Sequence, residues 1–307
     1  MAVYSIKDLE KLTGIKAHTL RVWEQRYNII EPKRTSTNIR FYNDEDLRKV
    51  MNIALLNKNG LKISKIADLT PDQIQEKVAA ISDVNYQFAT QLDAMTLAVV
   101  EMDEFKFDRI IKAHIDHVGF EKAMIDVVYP FLDKLNLLWF TGSIAPVQES
   151  FITHLIRQKA ILAIENLPIP TDVNAKKFVL FLPEGERQEL TMLFIQFLIK
   201  KQGHKAIFLG NELSIGDLAD AVKITKPDYI FSIITETFSN NNLQPFVNTL
   251  LGNFPEVELI LTGYQVIAQS LESSSKLITL NSLFETKDFL EKLGSNTDDQ
   301  PAPGSGK

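Results

Sequence analysis

The sequence predicts a multidomain α and α/β protein. It should hold an N-terminal winged helix-turn-helix, a four-helix bundle and a Rossmann-like doubly wound parallel sheet. Three observations lead there. Residues 4–42 read as two short helices split by a glycine and followed by a basic hairpin. Residues 86–166 repeat apolar residues at spacings of three and four, with short breaks. From Lys177 onward, short apolar runs alternate with helical stretches.

The first helix begins at Ser5-Ile6-Lys7-Asp8-Leu9. Ser5 can cap, Asp8 lies three residues on, and Leu9 and Leu12 share a face. Gly14 breaks it, as the turn of a helix-turn-helix requires. The second helix starts near Lys16 or Ala17 and carries Thr19, Arg21, Arg26 and Tyr27 beside apolar Leu20 and Trp23. Pro32 ends the helical pattern, Arg34 to Arg40 is a polar loop, and Phe41-Tyr42 resumes an extended segment. Asn43-Asp44 then caps a helix through Leu47, Val50, Met51 and Leu55, which Asn59-Gly60 stops. A short helix over Ile63 to Leu69 follows, and Thr70-Pro71-Asp72 opens another that ends near Ser82.

In the bundle, Phe88, Leu92, Met95 and Val99 mark one helix, and Phe107, Ile110, Ile111 and His114 the next. Val118 to Leu138 and Val147 to Ile164 supply two more, with breaks at Met102-Asp103, His117 to Gly119 and Thr141-Gly142. Leu167-Pro168-Ile169-Pro170 is a linker, because two prolines cannot extend the helix. Strands are expected at Phe178 to Leu182, Ala206 to Leu209, Tyr229 to Ile234, Val257 to Leu261 and Leu277-Ile278. Helices are expected at Glu189 to Lys201, Leu213 to Ile224, Leu243 to Leu251 and Phe284 to Leu293. The expected domains are therefore 1–75, 80–167 and 172–294, with a disordered polar tail at 295–307.

Composition narrows the function. The 307 residues contain no cysteine, which excludes disulfides, thiolate catalysis and cysteine-ligated metal. No apolar run reaches the roughly 18 residues a membrane span needs, and charge appears at once at the N-terminus, so a cytoplasmic protein without a membrane partner is expected. Net charge is −6. It is unevenly divided: residues 1–75 carry 13 Lys and Arg against 9 Asp and Glu, and the remainder 20 against 30. A basic head on an acidic body keeps attraction for phosphates local. No Ser/His/Asp, Cys/His or paired-carboxylate arrangement stands out, so an enzyme is not expected.

The order TLRVWEQRY, EPKR, NIRFYNDEDL resembles the DNA-binding domain of MerR-type transcription regulators over about residues 4–70. That resemblance implies that the helix opening at Lys16 to Thr19 enters the major groove. The interface residues it implies are Lys16, His18, Thr19, Arg21, Trp23, Arg26 and Tyr27 on the helix, with Arg34, Asn38, Arg40 and Tyr42 on the wing. Arginine and tyrosine supply phosphate contacts, and a helix N-terminus favours an anion. One small head makes few contacts, so the expected partner is double-stranded DNA at an inverted repeat, bound by a homodimer or higher oligomer. No heptad repeat is sustained, which assigns self-association to the C-terminal half.

A helical bundle before a Rossmann-like domain resembles the cobalamin-binding module of methionine synthase, and the whole chain resembles the CarH/LitR group of light-responsive, cobalamin-dependent repressors. The motif Asp/Glu-x-His-x-x-Gly reads here Glu186-Arg187-Gln188-Glu189-Leu190-Thr191, so Gln188 stands at the cobalt-ligating histidine and Thr191 at the glycine. Ser232 matches the Ser-x-Leu element and Thr262-Gly263 the Gly-Gly element. In the bundle, Trp139 and Glu149 match, while Ser150 stands at the upper-ligand histidine. An amide is a very poor substitute for imidazole on cobalt. The expectation is therefore no cofactor, with cobalamin possible only without a protein axial ligand. Taken singly, Trp139 beside Leu135 and Leu138 reads as core, His154 as a core or surface residue, and Gly263 as a βα turn.

Overall fold

The computed structural model describes residues 4–34, 40–58, 60–84, 88–140, 144–238 and 241–295. The chain forms two compact units, Met1–Leu155 and Ile156–Lys307.

The first unit opens with α1 (Ile6–Thr13), whose Ser5 and Asp8 form the expected reciprocal cap. Gly14 adopts a left-handed φ of 69° and its N–H closes the helix on the Glu10 carbonyl. Then come α2 (Ala17–Tyr27), an antiparallel pair β1 (Lys33–Arg34) and β2 (Arg40–Phe41), and α3 (Asp44–Lys58). Asn43 and Asp46 cap α3 reciprocally at 2.8 and 3.0 Å. α4 is shorter than expected, at Ile63–Ala67, and α5 runs Pro71–Val84. Leu9, Leu12, Leu20, Trp23, Leu47 and Val50 form the buried centre of this head. Tyr4 and Tyr42 exchange backbone hydrogen bonds, which ties the chain start to the strand after the wing.

The same unit continues with α6 (Phe88–Glu101) and α7 (Glu104–Val118). Next, α8 (Phe120–Ala123) runs through a π-helical turn at Met124–Val128 into α9 (Tyr129–Phe140). The widened turn immediately precedes Pro130, whose missing N–H interrupts the regular ladder. α10 (Pro146–Glu165) passes from this unit into the second. α3 packs on α6, and Asp93 of α6 bridges Lys58 of α3 and Lys134 of α9. The head and helices α6 and α9 that follow it are thus joined by a charged clasp that spacing alone does not reveal.

The second unit holds the sheet: β3 (Lys177–Phe181), β4 (Lys205–Phe208), β5 (Tyr229–Ile233), β6 (Glu258–Thr262) and β7 (Leu277–Leu280). Its order is β4-β3-β5-β6-β7, with every pair parallel. This is the flavodoxin-like doubly wound order, and it reverses between β3 and β5. The continuous apolar runs of β3, β5 and β6 are buried on both faces, while β4 and β7 at the edges are partly open. The helices are α11 (Glu189–Lys201), α12 (Ile215–Thr225), α13 (Gln244–Asn253), α14 (Tyr264–Ala268) and α15 (Leu283–Ser295). α14 has five residues, too few to show a helical period in sequence. Residues 296–307, expected to be a disordered tail, lie outside the described residues.

Candidate nucleic-acid interface and ligand crevice

α2 has Lys16 at its N-cap, and that side chain makes no capping hydrogen bond. The cap comes from α1 instead. The Ala17 N–H donates to Glu10 Oε2 at 3.0 Å and Lys16 Nζ to Glu10 Oε1 at 3.1 Å. The Ala17 hydrogen bond, then Lys16, holds the Glu10 carboxyl below its ordinary range. A carboxylate of the protein thus takes the helix-terminal place where a phosphate was expected. His18, Arg21 and Arg26 are exposed along α2, with Thr19 and Tyr27 half-buried. The Arg26 guanidinium lies 5.6 Å from the Tyr27 ring centre.

Two expected contact residues are corrected. Trp23 is only 6% exposed and belongs to the core of the head, because its face of α2 is the one that packs inward. Tyr42 is 0% exposed and cannot reach a phosphate. Its hydroxyl donates to Glu24 Oε2 at 3.5 Å, and burial, reinforced by the Glu24 charge, pushes that hydroxyl up to about 12. Glu24 Oε1 also accepts from Arg40 Nε at 3.3 Å. Glu24 therefore anchors the wing strand to α2. Sequence reasoning missed it, since a partner 16 residues away leaves no periodic signal. Arg34 is exposed on β1, and Asn38 lies outside the described residues.

In the second unit the crevice lies at the C-terminal ends of β3 and β5, where strand order reverses. Glu186 is 2% exposed there. Its Oε2 accepts from the backbone N–H groups of Thr235 at 2.8 Å, Glu236 at 3.0 Å and Thr237 at 3.5 Å, and from the Thr237 hydroxyl at 3.2 Å. The acidic loop is thus not a free negative surface: Glu186 is turned inward and braces the loop after β5. Ser232 donates its hydroxyl to the Phe181 carbonyl at 3.0 Å, and Thr262 to the Leu280 carbonyl at 2.7 Å. Gly263 has φ 113°, and a Cβ there would collide with the Ile234 carbonyl. Gln188 stands at the N-cap of α11, its Oε1 accepting from the Thr191 hydroxyl at 3.3 Å.

In the first unit, Trp139 is 45% exposed while Leu135 and Leu138 are buried. Trp139, which taken singly would suit the core, is instead exposed on α9. Glu149 is half-buried and Ser150 exposed, both at the start of α10, and His154 is exposed.

Residues 4–73 match the family described as MerR HTH family regulatory protein, and residues 91–161 match the B12 binding domain. The chain pairs a MerR-type head with a B12-binding-type module. It is 24% identical to the HTH-type transcriptional repressor CarH of Myxococcus xanthus, over 80% of this chain and 83% of that one. It is 26% identical to the repressor CarA of the same organism, over 90% and 95%. Both are regulators of transcription rather than enzymes. Among solved structures, the monomethylamine corrinoid protein of Methanosarcina barkeri superposes with a TM-score of 0.52 at 11% identity, covering 67% of this chain and 97% of its own. That likeness is one of fold.

The B12-binding-type module invites cobalamin, so its donors decide the fit. The crevice presents no imidazole: Gln188 occupies that position and its amide oxygen is engaged by Thr191. The Ser232 and Thr262 hydroxyls donate within the protein and Glu186 Oε2 accepts there, while Glu186 Oε1 is buried without a hydrogen-bond partner. A His-ligated cobalt does not fit these residues.

Proposed function

We propose that this protein is a DNA-binding repressor whose bundle and sheet self-associate and sense a ligand or partner without a His-ligated cobalamin. The head, residues 1–75, grips an inverted-repeat operator through Lys16, His18, Thr19, Arg21 and Arg26 on α2 and through Arg34 and Arg40 on the wing. Asn38 belongs to the same reading. The parts at 80–167 and 172–294 carry the sensing and the self-association. A cytoplasmic location follows from the DNA partner.

The observation that carries the reading is the contrast between the two ends. The α2 face is exposed and basic, with its wing anchored by Glu24. The crevice, by contrast, has Gln188 where an imidazole would stand and the Ser232 and Thr262 hydroxyls donated to internal carbonyls. Arg21→Ala should weaken binding to every duplex and flatten the salt dependence by about one phosphate contact. A mobility-shift titration over salt measures both, and wild-type binding by that variant sinks the reading. Adenosylcobalamin added in the dark should form no light-sensitive complex. A second reading, a genuine cobalamin-responsive repressor, is favoured by the outward position of Trp139 and by the tight turn at Gly263, and such a complex would establish it.

A further inference from the structure

Within the first unit a cleft of about 1370 Å³ separates the head from α7. Its head wall is apolar, formed by Ile29, Ile53, Ile66 and Val78, each at most 4% exposed overall. Phe105 stands opposite, in the first turn of α7 and 88% exposed. Solvating a whole phenyl ring on a helix is unfavourable, so an apolar occupant would gain area there.

The charge around the opening is unequal. Lys106 is neutralised by Glu101 at 3.3 Å, and the Asp103 carboxylate is occupied capping α7 through the Lys106 N–H at 3.0 Å. Among the described residues, Arg48 and Lys49 of α3 and Lys112 of α7 hold no ion pair. Glu45 is exposed beside them, and the half-buried Asp108 and exposed Arg109 of α7 also line the cleft. The opening therefore carries exposed cations on both walls, beside the exposed ring of Phe105.

We propose that this cleft is a binding site for an amphipathic organic anion, an aromatic or aliphatic body bearing a sulfonate, carboxylate or phosphate. The body stacks on Phe105, the exposed apolar side chain of the cleft. The anionic end lies between Arg48 and Lys49 on one side and Lys112 on the other. Such a ligand bridges the helix next to the DNA-binding face and the first long helix after it, so its binding is coupled to how the head is held. The ligand site itself does not depend on the DNA reading, and its test uses no DNA.

The probe is 8-anilinonaphthalene-1-sulfonate, titrated into the full chain with fluorescence detection. One saturable site per chain is expected at micromolar dye. Phe105→Ala should raise Kd about tenfold, as for loss of an aromatic anchor. Lys112→Glu with Lys49→Glu should raise it about tenfold at low salt and less at high salt. All three side chains are exposed, so thermal midpoints should stay at the wild-type value and separate this effect from unfolding. A cationic dye of similar size should not compete. Wild-type affinity in these variants, or equal binding of the cationic dye, overturns the site.

Discussion

The brace at Glu186 is a local device, and its removal should show as a local opening. Glu186→Ala takes away the acceptor of three backbone N–H groups and one hydroxyl. The two short bonds, at 2.8 and 3.0 Å, are charge-assisted; such bonds contribute about 1.5–3 kcal/mol each. The bonds at 3.5 and 3.2 Å add less. Thr235 and Thr237 are partly exposed and Glu236 exposed, so water repairs part of the loss. A net cost to the loop of about 3 kcal/mol follows, or about a hundredfold in its opening equilibrium. Global stability is the wrong readout. Glu186 Oε1 is buried and takes no hydrogen bond from the protein, so deleting the carboxylate also relieves a desolvation cost. The two effects oppose in a melting curve but not in the exchange of the loop amides. Hydrogen exchange of a peptide spanning 234–238 should therefore accelerate about a hundredfold, while α12 and β4 keep wild-type protection. Glu186→Gln, which keeps one acceptor oxygen, should fall between. Unchanged exchange at Thr235 to Thr237 would refute the brace.

Two further outcomes test other parts of the molecule. His204 is 1% exposed, neither ring nitrogen has a hydrogen-bond partner, and burial, reinforced by Lys176, lowers its pKa against the opposing pull of Asp172 and Asp228. A depressed histidine destabilises the fold as pH drops through and below its unfolded value near ~6.5, by at most about 1.4 kcal/mol per pH unit, and contributes no pH dependence above it. Urea unfolding from pH 8 to pH 5 should show that fall in the sheet unit, and His204→Phe should reduce it; an equal fall in the variant refutes the assignment. Glu10→Gln removes the carboxylate at the start of α2 while keeping an acceptor for Ala17. Duplex affinity should rise about two- to fivefold at low salt and converge with wild type at high salt; an unchanged or weaker affinity shows that no phosphate approaches that helix end.

Much of the fold was legible because its signals are local. Ser5 with Asp8 and Gly14 each act within a few residues and stand where spacing placed them, as does Asn43, whose reciprocal partner is Asp46 rather than the neighbouring Asp44. The apolar runs of β3, β5 and β6 gave the strands, since burial on both faces forbids polar alternation. The contacts that complete the candidate interface were not legible. Glu24 meets Arg40 and Tyr42 across the turn of the head, and Asp93 meets Lys58 across 35 residues. No local pattern distinguishes these acids from others on solvated helix faces. The inward burial of Trp23 was misread because an aromatic residue on an amphipathic helix suits either side, and only tertiary packing selects one.

The same distinction explains which parts of the cobalamin-type motif remain in this chain. Ser232 ties β5 to β3 through the Phe181 carbonyl, and Thr262 ties β6 to β7 through the Leu280 carbonyl. Glu186 holds the loop after β5, and Gly263 allows its chain to pass the Ile234 carbonyl. Each therefore has work within the sheet that continues with or without a cofactor. The histidine positions differ. A side chain that would serve only as a cobalt ligand has no internal bond to keep it, and those places read Gln188 and Ser150. Gln188 contributes one weak contact to Thr191, and Ser150 is exposed on α10. The doubly wound sheet and its crevice architecture are thus held by bonds that do not depend on the residue at the cobalt-ligand position. The strength of a motif match should accordingly be judged by the residues whose only use is the ligand, because the others are maintained by the fold itself.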